Sequence, residues 1–428
     1  MNILVRGCCL LNPLSSIQPV CGDIAVEDGR ILALGTVPAD FKADQVIDGS
    51  GCVAVPGLVN AHTHVSMSLF RNLADDLDLM DWLQNRIWPL EERMTPEDVY
   101  WGAMISMAEL IRSGVTAFAD MYFAMEKVAE AAVAAGLRVN TAVGLTGDRK
   151  AAGEKLKLFR DFHSRWDGAG NGLVQVDIGP HAPYTCDAGC FEEAARCAGE
   201  LGCGIHVHLA ETAGEVENCR GKYGLTPVEL AERSGFFSSR TIAAHCVHVN
   251  EKDMELLHSP KVHVVHNPSS NLKLASGFAR IRDLKKQGVQ TALGTDGASS
   301  NNNVNMFEEM HLAAILGKTV AGDPKALPAA EVLSMATEGG AKALGLHSGT
   351  GRLETGAPAD LILVRTDRVH LQPLHDRTAA LVYSAQASDV DTVICAGRIL
   401  MQERKLLTVD EEEVIAKARE AVAHLQAD

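Results

Sequence analysis

Short apolar runs alternate with amphipathic stretches along most of the chain. From Gly57 onward each apolar run has the length of a buried strand, and helical spacing follows it, as at residues 96–113 and 125–135. Strands that alternate with helices favour a parallel sheet, and a set of eight favours a (β/α)8 barrel of the α/β class. The eight strands are predicted at residues 58–64, 116–120, 138–144, 174–180, 204–208, 241–245, 262–267 and 291–296.

The two ends of the chain have a different pattern, in which β-type runs alternate with turns. Strands are predicted at residues 3–6, 23–27, 30–34, 45–48 and 51–56, and again at 359–365, 379–383, 390–396 and 399–401. We expect the two ends to pair as one small β-sandwich. The chain is then divided into a barrel domain at 57–355 and two sandwich segments at 1–56 and 356–428, the second ending in a packing helix at 410–425.

Composition narrows the class of protein. Of the 428 residues, 46% are hydrophobic and 22% are charged, which provides enough apolar material for a large core and argues against disorder. The formal net charge of -16 leaves no excess of Lys and Arg to neutralise phosphates. We therefore expect a small-molecule substrate and no nucleic-acid partner.

The sequence also bears on location and redox state. No run approaches the roughly 20 apolar residues of a membrane span, and no secretion signal is visible at the start, so a cytoplasmic protein without a membrane partner is expected. The 11 cysteines lack the spacing of a disulfide framework, which predicts thiols. No feature marks a subunit interface, and a homo-oligomer is left open.

Polar residues that end the predicted strands are candidates for catalysis, because active sites in these barrels lie at the carboxyl ends of the strands. His62 and His64 are two apart in the first strand and therefore face the same side. His206 and His208 repeat this spacing in the fifth strand, where only His208 reaches the mouth and His206 is expected to be a hydrogen-bonded core residue. Asp296 ends the eighth strand. The alternative for these positions is ordinary polar turn residues.

Three imidazoles and a carboxylate can hold one divalent metal ion, and such an ion activates water for hydrolysis. Glu211 lies just beyond the fifth strand, beside this set. His245 ends the sixth strand and is interpreted as a core histidine, a further ligand, or a group that holds the attacking water. These residues predict a hydrolytic enzyme.

Four segments together resemble the amidohydrolase superfamily, and more narrowly its S-adenosylhomocysteine and 5'-methylthioadenosine deaminases. They are residues 56–64 (PGLVNAHTH), 208–212 (HLAET), 266–271 (HNPSSN) and 294–298 (GTDGA). The resemblance implies one ion, usually zinc, bound by four side chains. Iron and manganese stay open. The fourth strand lacks the lysine that bridges two metals in other members, which supports a single ion. The implied ligands are His62, His64, His208 and Asp296.

The resemblance further implies hydrolysis of the adenine ring of S-adenosylhomocysteine, 5'-methylthioadenosine or adenosine to the inosine analogue and ammonia. Glu211 would carry a proton from water to ring N1, while Asp296 and His245 orient the attacking hydroxide. Another aminohydrolase, acting on guanine or a triazine, a chlorohydrolase and a metal-free scaffold are the competing hypotheses.

Substrate contacts are implied in the same way. Glu91 would accept hydrogen bonds from the ribose hydroxyls, Trp82 would form an apolar wall for the thioether, and His181 would contact the nucleoside. Arg149 would pair with the amino-acid carboxylate of S-adenosylhomocysteine, since a guanidinium suits that group. A solvated Arg149 is the alternative.

Overall fold

The computed structural model describes residues 1–14 and 20–426. Five strands open the chain, and β1 lies between β2, which is antiparallel to it, and the parallel strands β4 and β5. Valine and isoleucine occupy the buried positions of these strands, as suits a pleated surface with one covered face. The strands are β1 (Ile3–Leu10), β2 (Val20–Glu27), β3 (Arg30–Gly35), β4 (Gln45–Asp48) and β5 (Cys52–Pro56).

Two of the cysteines depart from the expectation of thiols. Cys9 in β1 lies directly opposite Cys21 in β2, with 4.0 Å between their Cα atoms, and the two form a disulfide. Cysteines that face each other across antiparallel strands bring their side chains within bonding reach. Strand register decides this pairing, and cysteine spacing along the chain does not reveal it. The other nine cysteines are free.

Eight parallel strands follow, and each is the neighbour of the next in chain order, which confirms the predicted (β/α)8 barrel. Most of their residues are buried, as expected for strands covered on both faces. Past the last strand, the backbone N–H of Asp296 donates to the carbonyl of His62 at 3.0 Å and so joins the end of the barrel to its beginning. The strands are β6 (Leu58–Thr63), β7 (Val115–Tyr122), β8 (Arg138–Leu145), β9 (Val174–Pro180), β10 (Ile205–Leu209), β11 (Thr241–His245), β12 (Val262–His266) and β13 (Gln290–Leu293).

Helices cover the outside of the barrel, and several begin at a side chain that caps their first turn, such as Thr95 and Thr226. Among the described residues, none of the helices combines the length and apolarity needed to cross a bilayer. The helices of the barrel region include Leu79–Trp82, Trp88–Glu91, Pro96–Arg112, Met125–Ala135, Arg149–Trp166, Ala188–Leu201, Ala213–Tyr223, Pro227–Arg233, Glu251–Leu257, Pro268–Lys273, Ile281–Lys286, Ala298–Asn301, Met306–Ala321, Ala329–Ser334 and Gly340–Leu344.

The carboxyl-terminal strands extend the first sheet, because β14 pairs antiparallel with β5. The predicted pairing of the two chain ends is thereby confirmed, and the final helix, Glu411–Gln426, packs on Pro96–Arg112 as expected. The added strands are β14 (Leu361–Arg365), β15 (Val390–Cys395), β16 (Arg398–Gln402) and β17 (Lys405–Leu406).

One predicted strand is wrong. Residues 379–383 belong to the helix Arg377–Tyr383, which Asp376 begins by accepting a hydrogen bond from Ala379 N at 3.0 Å. This helix packs against Met306–Ala321 and Ala329–Ser334. A short apolar run suits a buried strand and a buried helix equally, and here the neighbouring helices decide.

A buried ion pair connects the two sheets. Arg138, at the start of β8, donates from Nε to Asp360 Oδ2 at 2.8 Å and from Nη2 to Oδ1 at 3.2 Å. Asp360 precedes β14 and also accepts the N–H of Ala396 at 2.6 Å. Arg138 is 7% exposed and Asp360 is 2% exposed. Both charges therefore depend on each other for compensation.

We predict that Asp360→Ala lowers the free energy of unfolding by about 3–5 kcal/mol, because Arg138 keeps its charge inside the protein without a partner. Asp367→Ala is the control, since it removes the partner of Arg365 from an exposed pair, where about 0–1 kcal/mol is expected. Chemical denaturation followed by circular dichroism measures both. Equal losses in the two variants would contradict the prediction.

Candidate active site

Four side chains converge at the carboxyl ends of the strands. His62 lies near the end of β6 and His64 just beyond it, His208 lies in β10, and Asp296 lies in the loop past β13. Asp296 Oδ1 is 3.4 Å from His62 Nε2 and 3.2 Å from His64 Nε2, and His64 Nε2 is 3.2 Å from His208 Nε2. The structure thus brings together the four side chains that the sequence singled out as a ligand set.

The hydrogen bonds behind these rings fix which nitrogen carries a proton. His64 Nδ1 lies 2.6 Å from the carbonyl of Met121, and His208 Nδ1 lies 2.7 Å from the carbonyl of His181. A carbonyl only accepts, so each Nδ1 is protonated and each Nε2 points into the site. The two Nε2 atoms face each other, so a shared proton or a metal cation is needed between them to offset their repulsion.

The donor set fits a divalent metal ion. His62 Nε2 is buried and has no hydrogen-bond partner within the described residues, and its Nδ1 is 2.7 Å from His206 Nε2. Burial lowers the pKa of His64, yet the hydrogen bond and charge of Asp296 outweigh burial and raise it to about 9. A positive charge is thus favoured at this point, and imidazole nitrogens with a carboxylate oxygen are the donors that zinc accepts. His206 is fully buried and hydrogen-bonded, as expected, and it orients His62.

Asp296 is held by two hydroxyl groups that the sequence analysis did not assign. Its Oδ2 accepts from Ser270 Oγ at 2.6 Å and from Ser300 Oγ at 2.8 Å, which leaves Oδ1 for the histidines. Burial raises the pKa of this carboxyl, but His62 and His64 outweigh burial and hold the pKa well below its usual range. Asp296 is therefore ionised. Its φ of 64° shows that the backbone has left the strand, which ends three residues earlier than predicted.

A buried glutamate joins the two segments that carry these serines. Glu309 accepts the N–H of Ser269 at 3.1 Å and an amide hydrogen of Asn301 at 2.7 Å. Burial raises the pKa of Glu309 to about 8. Neighbouring serines in the 266–271 segment were the available signal, but nothing in the sequence connected them to a glutamate so far along the chain.

Glu211 and His245 lie beside this cluster. Both are buried, and burial raises the pKa of Glu211. Burial lowers the pKa of His245, whereas the charges of Glu211 and Asp296 outweigh burial and raise it. His245 Nδ1 is 2.8 Å from Asn271 Oδ1, and the His245 ring centroid is 5.5 Å from that of His62. His245 therefore belongs to the site rather than to a distant part of the core.

A cavity of about 590 Å³ opens onto the cluster. This volume is in the range of pockets for small organic ligands. His181, Glu211 and His245 are among its polar lining residues. Its apolar lining, called here the apolar wall, includes Met67, Leu79, Trp82, Leu83 and Trp88.

Three of the four residues predicted only as substrate contacts line this cavity, namely Trp82, Glu91 and His181. Burial raises the pKa of Glu91, and Tyr122 donates its hydroxyl hydrogen to Glu91 Oε1 at 2.6 Å. Burial lowers the pKa of His181 to about 3, so its ring is neutral and is held by Thr185 at 2.8 Å.

Arg149 lies away from the cavity. It begins the helix Arg149–Trp166, its side chain is 56% exposed, and it pairs with Glu192 and with Glu193 Oε1, the latter at 2.9 Å. The nearby carboxylates on the next helix attract the guanidinium outward. Lys155 from the same helix lines the cavity instead and donates to Thr146 at 2.9 Å. No motif in the sequence distinguishes this lysine as a cavity residue.

Comparisons with known proteins identify the family of this chain. The amidohydrolase family matches residues 53–400. The chain is 46% identical over 428 residues to the 5-methylthioadenosine/S-adenosylhomocysteine deaminase of Desulforudis audaxviator, with 99% of both chains covered. It is 48% identical to the enzyme of the same name from Moorella thermoacetica, over 97% of this chain and 98% of the relative.

A solved structure is also similar. The adenosine deaminase from Xanthomonas campestris, which has bound zinc, superposes with a TM-score of 0.93 at 34% identity, and the match covers 99% of this chain and 98% of that one. This protein belongs to the amidohydrolase family.

We predict that Ser270→Ala and Ser300→Ala each weaken metal binding by about 10- to 100-fold, because each removes a hydrogen bond that orients Asp296. Ser299→Ala is the matched control, since the Ser299 hydroxyl is buried beside Ser300 and has no partner among the described residues. Competition with a chelator gives the zinc dissociation constants. Unchanged affinity in both variants would show that the hydroxyls do not support the metal site.

Proposed function

We propose that this protein uses one zinc ion to deaminate the adenine ring of 5'-methylthioadenosine or S-adenosylhomocysteine to the inosine analogue. The observation that carries the proposal is that the buried Glu211 carboxyl lines the same cavity as the converging His64, His208 and Asp296. The relatives from Desulforudis audaxviator and Moorella thermoacetica, which match over nearly the whole chain, support this substrate class.

The metal ligands would be His62, His64, His208 and Asp296. A divalent ion at this point supplies the charge that makes water acidic near pH 7. Zinc is proposed because the structurally similar Xanthomonas campestris deaminase has it bound, and elemental analysis of purified protein distinguishes zinc from iron and manganese.

Glu211 would transfer the proton. Burial raises its pKa, which suits a carboxylate that accepts a proton from the attacking water and then passes it to N1 of the ring. Asp296, which is ionised, would accept a hydrogen bond from the remaining hydrogen of that water and fix its orientation. His245 has a raised pKa and would donate a hydrogen bond to the attacking oxygen as it bonds to C6, with Asn271 holding its other nitrogen.

The cavity fits a nucleoside with an apolar substituent. Glu91 would accept hydrogen bonds from the ribose hydroxyls while its Oε1 also accepts one from the Tyr122 hydroxyl. His181 would contact the base. Trp82 and Trp88 on the apolar wall match a thioether chain. These features favour an adenosine derivative over guanine or a triazine. The triazine hydrolases and guanine deaminase of similar structure are only 24% and 20% identical and share the fold alone.

We also propose a cytoplasmic location, because nine of the eleven cysteines are free thiols, as expected in a reducing compartment. The Cys9–Cys21 pair is the exception. A homo-oligomer also stays a prediction, and light scattering of the purified protein tests it.

We predict that Glu211→Gln lowers kcat by about 10²- to 10⁴-fold, because glutamine cannot accept and return the proton. Metal content should stay stoichiometric, since Glu211 is not one of the proposed ligands. Ammonia release from 5'-methylthioadenosine and elemental analysis measure the two effects. Glu217→Gln on the exposed face of the next helix is the control. Turnover like that of the wild type in Glu211→Gln would exclude the assigned role.

We predict that Lys155→Gln lowers kcat/KM for S-adenosylhomocysteine about tenfold and changes that for 5'-methylthioadenosine by less than about twofold. Lys155 is the one Lys or Arg side chain that lines the cavity in the described part of the chain, so it suits the carboxylate that only the first substrate has. Arg149→Gln is the control and should alter neither value. Equal losses with both substrates in Lys155→Gln would contradict a carboxylate contact.

A further inference from the structure

The turn that carries Glu211 is stabilised in an unusual way. It connects β10 to the helix Ala213–Tyr223, and Thr212 caps that helix by accepting the N–H of Glu215 at 3.1 Å. A threonine followed three residues later by a glutamate predicts a reciprocal cap, in which the glutamate accepts the N–H of the threonine. Thr226 and Glu229 form such a cap elsewhere in the chain, at 2.8 Å.

Glu215 departs from that arrangement. Its Oε2 accepts the N–H of Glu211 at 2.8 Å, and its Oε1 accepts the N–H of Ala210 at 2.8 Å. Both oxygens of one carboxylate therefore bind the two residues that precede the cap. Ala210 has a φ of 51°, in the left-handed region that a residue with a side chain adopts only when its surroundings hold it there.

The position of Glu215 is costly for stability. The residue is 5% exposed and lies near the buried carboxyl of Glu211, and burial together with this neighbour raises the pKa of Glu215 to about 7. The amino end of a helix favours a negative charge, but the reciprocal cap provides the same benefit with a less buried carboxylate, as at Glu229, whose side chain is 16% exposed. The arrangement is thus better explained by what it does to Glu211 than by helix capping.

We propose that Glu215 is a positioning residue that fixes the backbone of Ala210 and Glu211 and thereby aims the Glu211 carboxyl at the reacting water and ring nitrogen. This inference rests on the proposed function. Glu215 does not line the cavity, so it acts through Glu211 rather than on the substrate.

The first test compares Glu215→Gln with Glu229→Gln. A glutamine side chain has one acceptor oxygen, and its amide group would face the second N–H, so E215Q should lower kcat by roughly 10- to 100-fold with little change in KM. E229Q changes the same residue type at the same helix position and should keep kcat within about twofold. A wild-type kcat in E215Q would overturn the proposal.

A double-variant cycle separates positioning from a general structural role. If Glu215 acts through Glu211, E215Q should change kcat by less than about twofold when Glu211 is already glutamine. If the two losses multiply in the double variant, the residues act independently and the proposal is wrong. Loss of metal from E215Q would likewise overturn it, because Glu215 would then support His208 instead.

Amide hydrogen exchange supplies a readout that does not depend on turnover. In E215Q the amide hydrogens of Ala210 and Glu211 should exchange faster than in the wild type, while exchange rates around Thr226 stay the same. Unaltered exchange at Ala210 and Glu211 would contradict the proposal. Glu215→Asp keeps the charge but is too short to reach both N–H groups, so it should also speed their exchange. It replaces E215Q in this test if E215Q does not fold. Wild-type protein that releases no ammonia from either nucleoside would reject the proposed function, while the exchange result would still decide the role of Glu215 in the turn.

Discussion

The active site depends on an electrostatic constraint at the rim of the barrel. Backbone carbonyls of Met121 and His181 fix the protonated Nδ1 atoms of His64 and His208, so the two Nε2 atoms face each other across 3.2 Å. Met121 lies in β7 and His181 directly follows β9, so the barrel wall holds both carbonyls in place. The backbone hydrogen bonding of the fold therefore favours a cation at this point, either a proton or a metal ion, and the surrounding polar groups are arranged around it.

Much of this follows from the sequence because it depends on local periodicity. Alternation along β6 places His62 and His64 on one face, and the apolar runs locate all eight barrel strands to within a few residues. The errors arise where a partner distant in sequence decides. The helix at residues 377–383 is selected by the helices that it packs against, and the Cys9–Cys21 disulfide by strand register. For Arg149, which the sequence left between a substrate contact and a solvated residue, carboxylates on another helix favour the solvated position.

The side chains that hold the proposed metal ligands in place could not be identified from the sequence, for a related reason. Ser300 and Glu309 have ordinary neighbours in the sequence, and although Ser270 lies in the 266–271 segment, nothing in the sequence connects it to Asp296. Their importance arises from burial, since a polar atom without water must find a partner inside the protein. Only the folded chain shows that the hydroxyls of the two serines meet at one oxygen of Asp296.

The bond from Asp296 to the His62 carbonyl couples assembly of the site to assembly of the fold. Because Asp296 lies past the last barrel strand, the four proposed donors come together only when that strand has closed against the first. Completion of the donor set therefore depends on closure of the barrel.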